Sequence, residues 1–252
     1  MEECGREERS SVECCPTQDS VCWNAMLNPF VQLPIAGVIF YQGESNLYGA
    51  TWYECGFPLF VDSWRTRVQK QVVFLVCELA PMFAPHPYVE EFRLMQAGFA
   101  AHISDLFLIT TIDLGDYDSP YGDLHPRTKE DVGFRGKNIA LKEIYGYDIK
   151  VLGPTMKEYQ VFVQQESIIT IQITYQEESI GGGLELRPFQ CPSDGVSLES
   201  DICTGFEVEF NHVELVQCDN PIIEAASNSI ILTIDIQELR LSSYLVTKVN
   251  YA

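Results

Sequence analysis

The chain has 252 residues, 46% of them hydrophobic, and a formal charge of −20 at neutral pH. That length and apolar share suit one large core or two smaller ones. The charge excludes a nucleic-acid partner, because no Lys/Arg stripe exists to displace counterions from phosphates. No run is long and apolar enough to span a bilayer, so no membrane partner is expected either.

In chain order, residues 1–18 are polar and charged and read as a disordered or foreign leader, without the apolar stretch of a signal peptide. Residues 21–29 read as a short helix stopped near Pro29, with its apolar side chains packed under a sheet. The run 35–41 is continuous, apolar and β-rich, as expected of a strand buried on both faces of a parallel sheet. The polar Gln42-Gly43-Glu44-Ser45-Asn46 follows at once. Helical spacing over 52–70 places Phe57, Phe60, Val61, Trp64 and Val68 on one face, although Pro58 interrupts it. A second buried strand is predicted at 72–77, and the loop after it carries Met82, Phe83 and His86 as pocket candidates. A helix follows at 89–103, a third strand at 106–113, a polar loop at 114–126 and an amphipathic helix at 129–145.

Strands alternating with helices give an α/β fold with a parallel sheet, so the three polar loops should converge on one of its edges. From about residue 147 the texture changes to short alternating runs separated by turns, which predicts an antiparallel β domain. The expected organisation is thus an α/β domain over 19–146 and a β-sandwich-like domain over 147–252.

The chemistry concentrates in the third loop, where His125 stands two residues after Asp123. An imidazole can take a proton from a hydroxyl and return it to a leaving group, while a carboxylate holds its tautomer and stabilises the imidazolium. An Asp-x-His pair also suits a loop in which Asp123 caps the following helix and His125 is solvated, so the residues alone leave both readings open. The nine cysteines form no Cys-x-x-Cys pair and no Cys/His spacing suited to zinc, so no metal is expected. Their number leans towards an oxidising compartment. There is no Asn-x-Ser/Thr sequon to support a secreted assignment.

Several blocks in order, namely Trp23-Asn-Ala-Met26, Tyr41-Gln-Gly-Glu-Ser-Asn46, the strand and loop from Phe74 to Pro81, Arg93 with Gln96, Asp118-Ser-Pro120 and Asp123-Leu-His-Pro126, resemble the sialate O-acetylesterases, serine esterases of the SGNH-hydrolase superfamily. The similarity runs from about Asp19 to Gly146 and continues weakly into the β region. It implies a partial SGNH-type, flavodoxin-like sheet and a Ser-His-Asp site that removes O-acetyl groups from sialic acids without a cofactor. His125 then maps as general base, Asp123 as its orienting acid, and Gln42 with the Gly43 N–H as oxyanion donors. Glu44 supports their loop, and Arg93 and Gln96 brace the sheet or that loop. A lysosomal or secreted location and an O-acetylated sugar as ligand are implied in the same way.

The family's nucleophilic serine lies in a Gly-Gln-Ser-Asn segment upstream of the block that begins here near Trp23, and no such segment occurs in this sequence. The expectation is a chain truncated at its N-terminal side, with weak or no hydrolysis of its own. Gly43-Glu-Ser45-Asn46 superficially copies the missing segment, but it falls in the oxyanion block, and a serine is unreactive without a base in reach.

Overall fold

The computed structural model describes residues 20–82, 88–116, 118–151, 153–164, 168–186 and 221–235, and the strands at 189–190, 202–203, 206–210, 214–217 and 246–251. The expected leader, Phe83 and His86 lie outside the described residues. The chain divides between Ile149 and Lys150 into two compact units.

The first unit contains β1 (Gly37–Phe40), α1 (Ala50–Val68), β2 (Val73–Cys77), α2 (Val89–His102), β3 (Leu106–Ile109) and α3 (Glu130–Glu143). The strands pair in parallel in the order β1-β2-β3, with Gly37 opposite Val73 and Phe74 opposite Leu106. The central β2 follows its sequence: Phe74, Val76 and Cys77 are wholly buried, as a Val/Leu/Phe run between two neighbours should be. On α1, Phe57 and Val61 are buried, and Phe60, Trp64 and Val68 pack partly buried against the same core. Pro58 sits inside α1 without ending it. The helix forfeits a backbone hydrogen bond there, yet ring contacts on both sides hold it to the core. Tyr53 lies 4.7 Å from Phe92, and Phe57 lies 4.8 Å from Phe99, centroid to centroid.

Three expectations need correction. The first strand is shorter than 35–41 and is not buried on both faces, since Ile39 is 64% exposed. Among the described residues β1 stands at the end of the sheet and has a strand neighbour on one side only, β2. Secondly, residues 21–30 form a π-helical turn (Trp23–Leu27) followed by a 3₁₀ turn (Asn28–Phe30), and Met26 and Phe30 are exposed at 64% and 60% rather than packed under the sheet. Trp23 docks edge-on to Trp64 at 5.6 Å, with the Arg67 guanidinium 4.7 Å above its ring. The third strand also stops early, at Ile109, which leaves Thr110–Asp113 to the loop chemistry described below.

The second unit is antiparallel. β4 (Met156–Gln164) and β5 (Ile168–Tyr175) form a hairpin, and a four-stranded sheet runs β10-β11-β5-β4, with β10 at Ile222–Glu224 and β11 at Ser229–Asp235. Ile169, Ile171 and Ile173 alternate inward on β5 and face Ile230, Leu232 and Ile234 of β11, all buried. β8 (Phe206–Phe210) is flanked by β12 (Val246–Tyr251) and β9 (Glu214–Gln217), and β6 (Phe189–Gln190) pairs with β7 (Ile202–Cys203). Among the described residues no helix is long and apolar enough to cross a membrane.

Candidate active site

In a parallel sheet every strand delivers its following loop to the same edge. The loops after β1, β2 and β3 meet there through specific contacts. Gly43, in the first, has φ +153°, and a Cβ on it would come 2.6 Å from Phe92 Cε1 and 3.1 Å from Leu79 Cδ2. Only glycine allows the first loop to lie this close to the second. Gln42 Nε2 donates to Asn46 Oδ1 at 2.5 Å and Asn46 N to the Gly43 carbonyl at 2.8 Å, so the segment is internally tied before Glu44 opens the 3₁₀ stretch Glu44–Gly49.

The second loop is fixed from α2, where Arg93 and Gln96 lie three residues apart and so share a face. The Leu79 N–H donates to Gln96 Oε1 at 3.0 Å, Gln96 Nε2 donates to the Cys77 carbonyl at 3.2 Å, and Arg93 Nε donates to the Leu79 carbonyl at 2.8 Å. Gln96 is wholly buried. Both side chains therefore brace the backbone just beyond β2. The third loop joins through Glu78, whose N–H donates to the Ile109 carbonyl at 3.0 Å and whose carbonyl accepts the Thr111 hydroxyl. The Tyr41 phenol, whose ionisation burial makes harder, lies beside the same Thr111, so one buried threonine sits where the three strand ends meet. Gly115 packs on Pro81, with 3.1 Å between an added Cβ and Pro81 Cβ.

Burial governs the ionisation of this floor. It pushes the Glu78 carboxyl upward, against the opposing pull of Arg93. It pushes the Cys77 thiol up to about 12, a shift that Lys129 partly counters and Glu44 increases. Cys77 is consequently expected to resist iodoacetamide at pH 8 in the native protein and to alkylate only after unfolding, as peptide mass spectrometry would read.

The His125 loop is closed by a clamp that the sequence did not signal. Asp116 accepts the Arg127 backbone N–H at 3.0 Å and its Nε and Nη2 at 2.7 Å each, so the two ends of the loop are held together. Inside it, Ser119 Oγ donates to the His125 carbonyl at 2.6 Å and the His125 N–H donates to the Gly122 carbonyl at 2.9 Å. Pro126 is buried and anchors the turn, His125 is exposed, and Asp123 is half-buried. Among the described residues no hydrogen bond or ion pair engages the His125 imidazole. Asp123 does not cap the next helix: Lys129 occupies the N-cap of α3, without a side-chain cap. Ser45 is exposed, and among the described residues it is not hydrogen-bonded to His125.

The Arg127 contacts hold the Asp116 carboxyl down at about 2. Because the folded value lies below the unfolded one of about 3.9, the folded state binds fewer protons between them, and stability falls as the pH drops through that window. Acid unfolding followed by circular dichroism should show this fall between about pH 4 and pH 2. The Asp116→Asn variant should show a flatter profile there.

No protein-family model matches the chain. It is 30% identical to the sialate O-acetylesterase of Mus musculus over 181 residues, which cover 65% of this chain and 33% of that protein. It is also 30% identical to that of Pongo abelii over 200 residues, 71% of this chain and 38% of that protein. The human sialate O-acetylesterase is 29% identical over 181 residues. The chain therefore spans about a third of the length of the curated relatives it matches. Among solved structures, a carbohydrate acetylesterase from Xanthomonas citri superposes with a TM-score of 0.62 at 23% identity, covering 83% of this chain and 44% of that one. The chain is thus similar in sequence to the sialate O-acetylesterases, and its α/β and β parts share their fold with a solved acetylesterase.

Proposed function

We propose that this chain, as a relative of the sialate O-acetylesterases, carries the histidine-bearing part of a carboxylic ester hydrolase acting on O-acetylated sialic acids. The observation that carries the reading is the convergence of three polar loops at the carboxyl edge of a parallel sheet, joined through Thr111 and the Gly43–Leu79 contact. In this reading the sugar's acetyl carbonyl sits over the Gly43 N–H and the amide of Gln42, which stabilise the negative charge developing on its oxygen. Glu44 holds their loop. His125 takes the proton from a serine hydroxyl as that oxygen attacks the acetyl carbon, then returns it to the departing sugar oxygen. Asp123 orients the imidazole, and water releases acetate by the same proton path in reverse. The attacking serine comes from a segment other than those in this chain. The reaction asks for no metal or cofactor, and the disulfide-bonded state of Cys55 supports an oxidising compartment.

Chemical-shift mapping with an O-acetylated sialic acid, run beside an acetate-release assay, tests this. Saturable shifts at Gln42, Gly43 and His125 without acetate release are expected. Shifts confined to the second unit would point to a carbohydrate-binding role with no esterase site. That is the second reading, favoured by the polar cavity of about 500 Å³ lined by Lys157, Tyr175 and Asn228.

A further inference from the structure

Sialate is an anion, and the chain that would bind it has a formal charge of −20. A ligand of that kind needs a local cation to offset the surrounding field. The elements bordering the site supply Arg93, Arg127, Lys129 and Arg135. Three are already committed. Arg135 makes a double contact with Asp113, at 2.6 Å on each oxygen, and Arg127 makes one with Asp116, at 2.7 Å on each. Arg93 is buried, bonded to the Leu79 carbonyl and attracted to Glu78.

Lys129 differs. Its ammonium donates to the Pro126 carbonyl at 2.8 Å and lies 5.0 Å from the centroid of the Tyr41 ring. Both contacts hold the charge in place without neutralising it. Among the described residues Lys129 forms no ion pair with a carboxylate. Tyr41 directly precedes Gln42 and Pro126 directly follows His125, so this exposed cation stands between the two loops assigned to the chemistry. Helix stability does not explain it, because a positive charge at the N-cap of α3 opposes the helix dipole. An ammonium has three N–H donors, and Pro126 takes one.

We propose that Lys129 is the carboxylate-binding residue of this site, and that it gives the site a preference for acidic over neutral acetylated sugars. The inference rests on the ester-hydrolase reading for the location and kind of ligand. Its chemistry is a charge-assisted hydrogen bond from a pre-positioned ammonium to the sugar carboxylate.

The test is titration of the whole chain with N-acetylneuraminic acid and with its uncharged methyl ester, for the native protein, Lys129→Gln and Lys129→Arg, with circular dichroism as the fold control. The native protein should bind the acid about tenfold more tightly than the ester. Lys129→Gln should bind both at the ester's level, and Lys129→Arg should recover much of the preference. Equal affinity of the native protein for acid and ester would overturn the assignment while leaving the ester-hydrolase reading intact. Equal weakening of both ligands in Lys129→Gln would do the same, marking Lys129 as a support of the loop. Binding of neither ligand by the native protein would overturn both.

Discussion

Replacing Gly43 by alanine is expected to lower the stability of the first unit by about 3 kcal/mol and to abolish ligand binding at its carboxyl edge. Two costs combine. The backbone holds φ at +153°, which a side chain disfavours, and the new methyl would lie 2.6 Å from Phe92 Cε1 and 3.1 Å from Leu79 Cδ2. Phe92 cannot give way cheaply, because it is wholly buried against Tyr53 at 4.7 Å. The chain can escape only by lifting the Gln42–Gly43 loop from Leu79, which displaces the proposed oxyanion donors. Urea denaturation reads the first effect and titration with an O-acetylated sialic acid the second. An unchanged midpoint would mean that the two loops are not packed as described.

The second large effect is expected from Gln96→Leu. Leucine nearly matches the volume of glutamine but returns neither of its hydrogen bonds, so the Leu79 N–H and the Cys77 carbonyl lose their side-chain partner in a site with no solvent access. The loss should be about 3 kcal/mol, since buried polar groups left unpaired cost more than a formed bond contributes. The variant also separates two roles: Arg93 still holds the Leu79 carbonyl. The loop after β2 should therefore loosen rather than leave, and amide exchange at Leu79 should accelerate before global unfolding does.

These two residues show what was legible in the sequence. Gly43 lay between a β-rich run and polar residues, which placed the first loop, and Arg93 and Gln96 lay one helical turn apart, which put them on one face. That this face holds the backbone after β2 rather than the Gln42 loop emerges only in the structure. β2, α2 and α3 were legible through a single apolar run or a repeating apolar face. β1 was not, because an apolar run carries no mark of whether its strand lies inside a sheet or at its end, and Ile39 ends up exposed. The turn at Trp23–Leu27 misled similarly, its apolar residues reading as core while Met26 and Leu27 face outward. The clamp between Asp116 and Arg127, eleven residues apart within a loop, has no period to reveal it. Thr111 sits where three strand ends meet only because the sheet brings them together, and no residue pattern near it indicates that role. The position of Lys129 was within reach, four residues past His125, but that no carboxylate among the described residues pairs with it emerges only once Asp113 and Asp116 are seen to be taken by arginines.

In the proposed reaction the site supplies a base and oxyanion donors while the nucleophile lies on another segment. Fluorophosphonate labelling of the purified, folded chain, mapped by mass spectrometry beside a His125→Ala control, tests it most directly, because such a probe reacts with an activated serine. No His125-dependent label is expected on any serine of this chain, Ser45 included. Label on Ser45 that disappears in His125→Ala would contradict it and make the Gly43–Asn46 turn the nucleophile loop of a self-sufficient esterase.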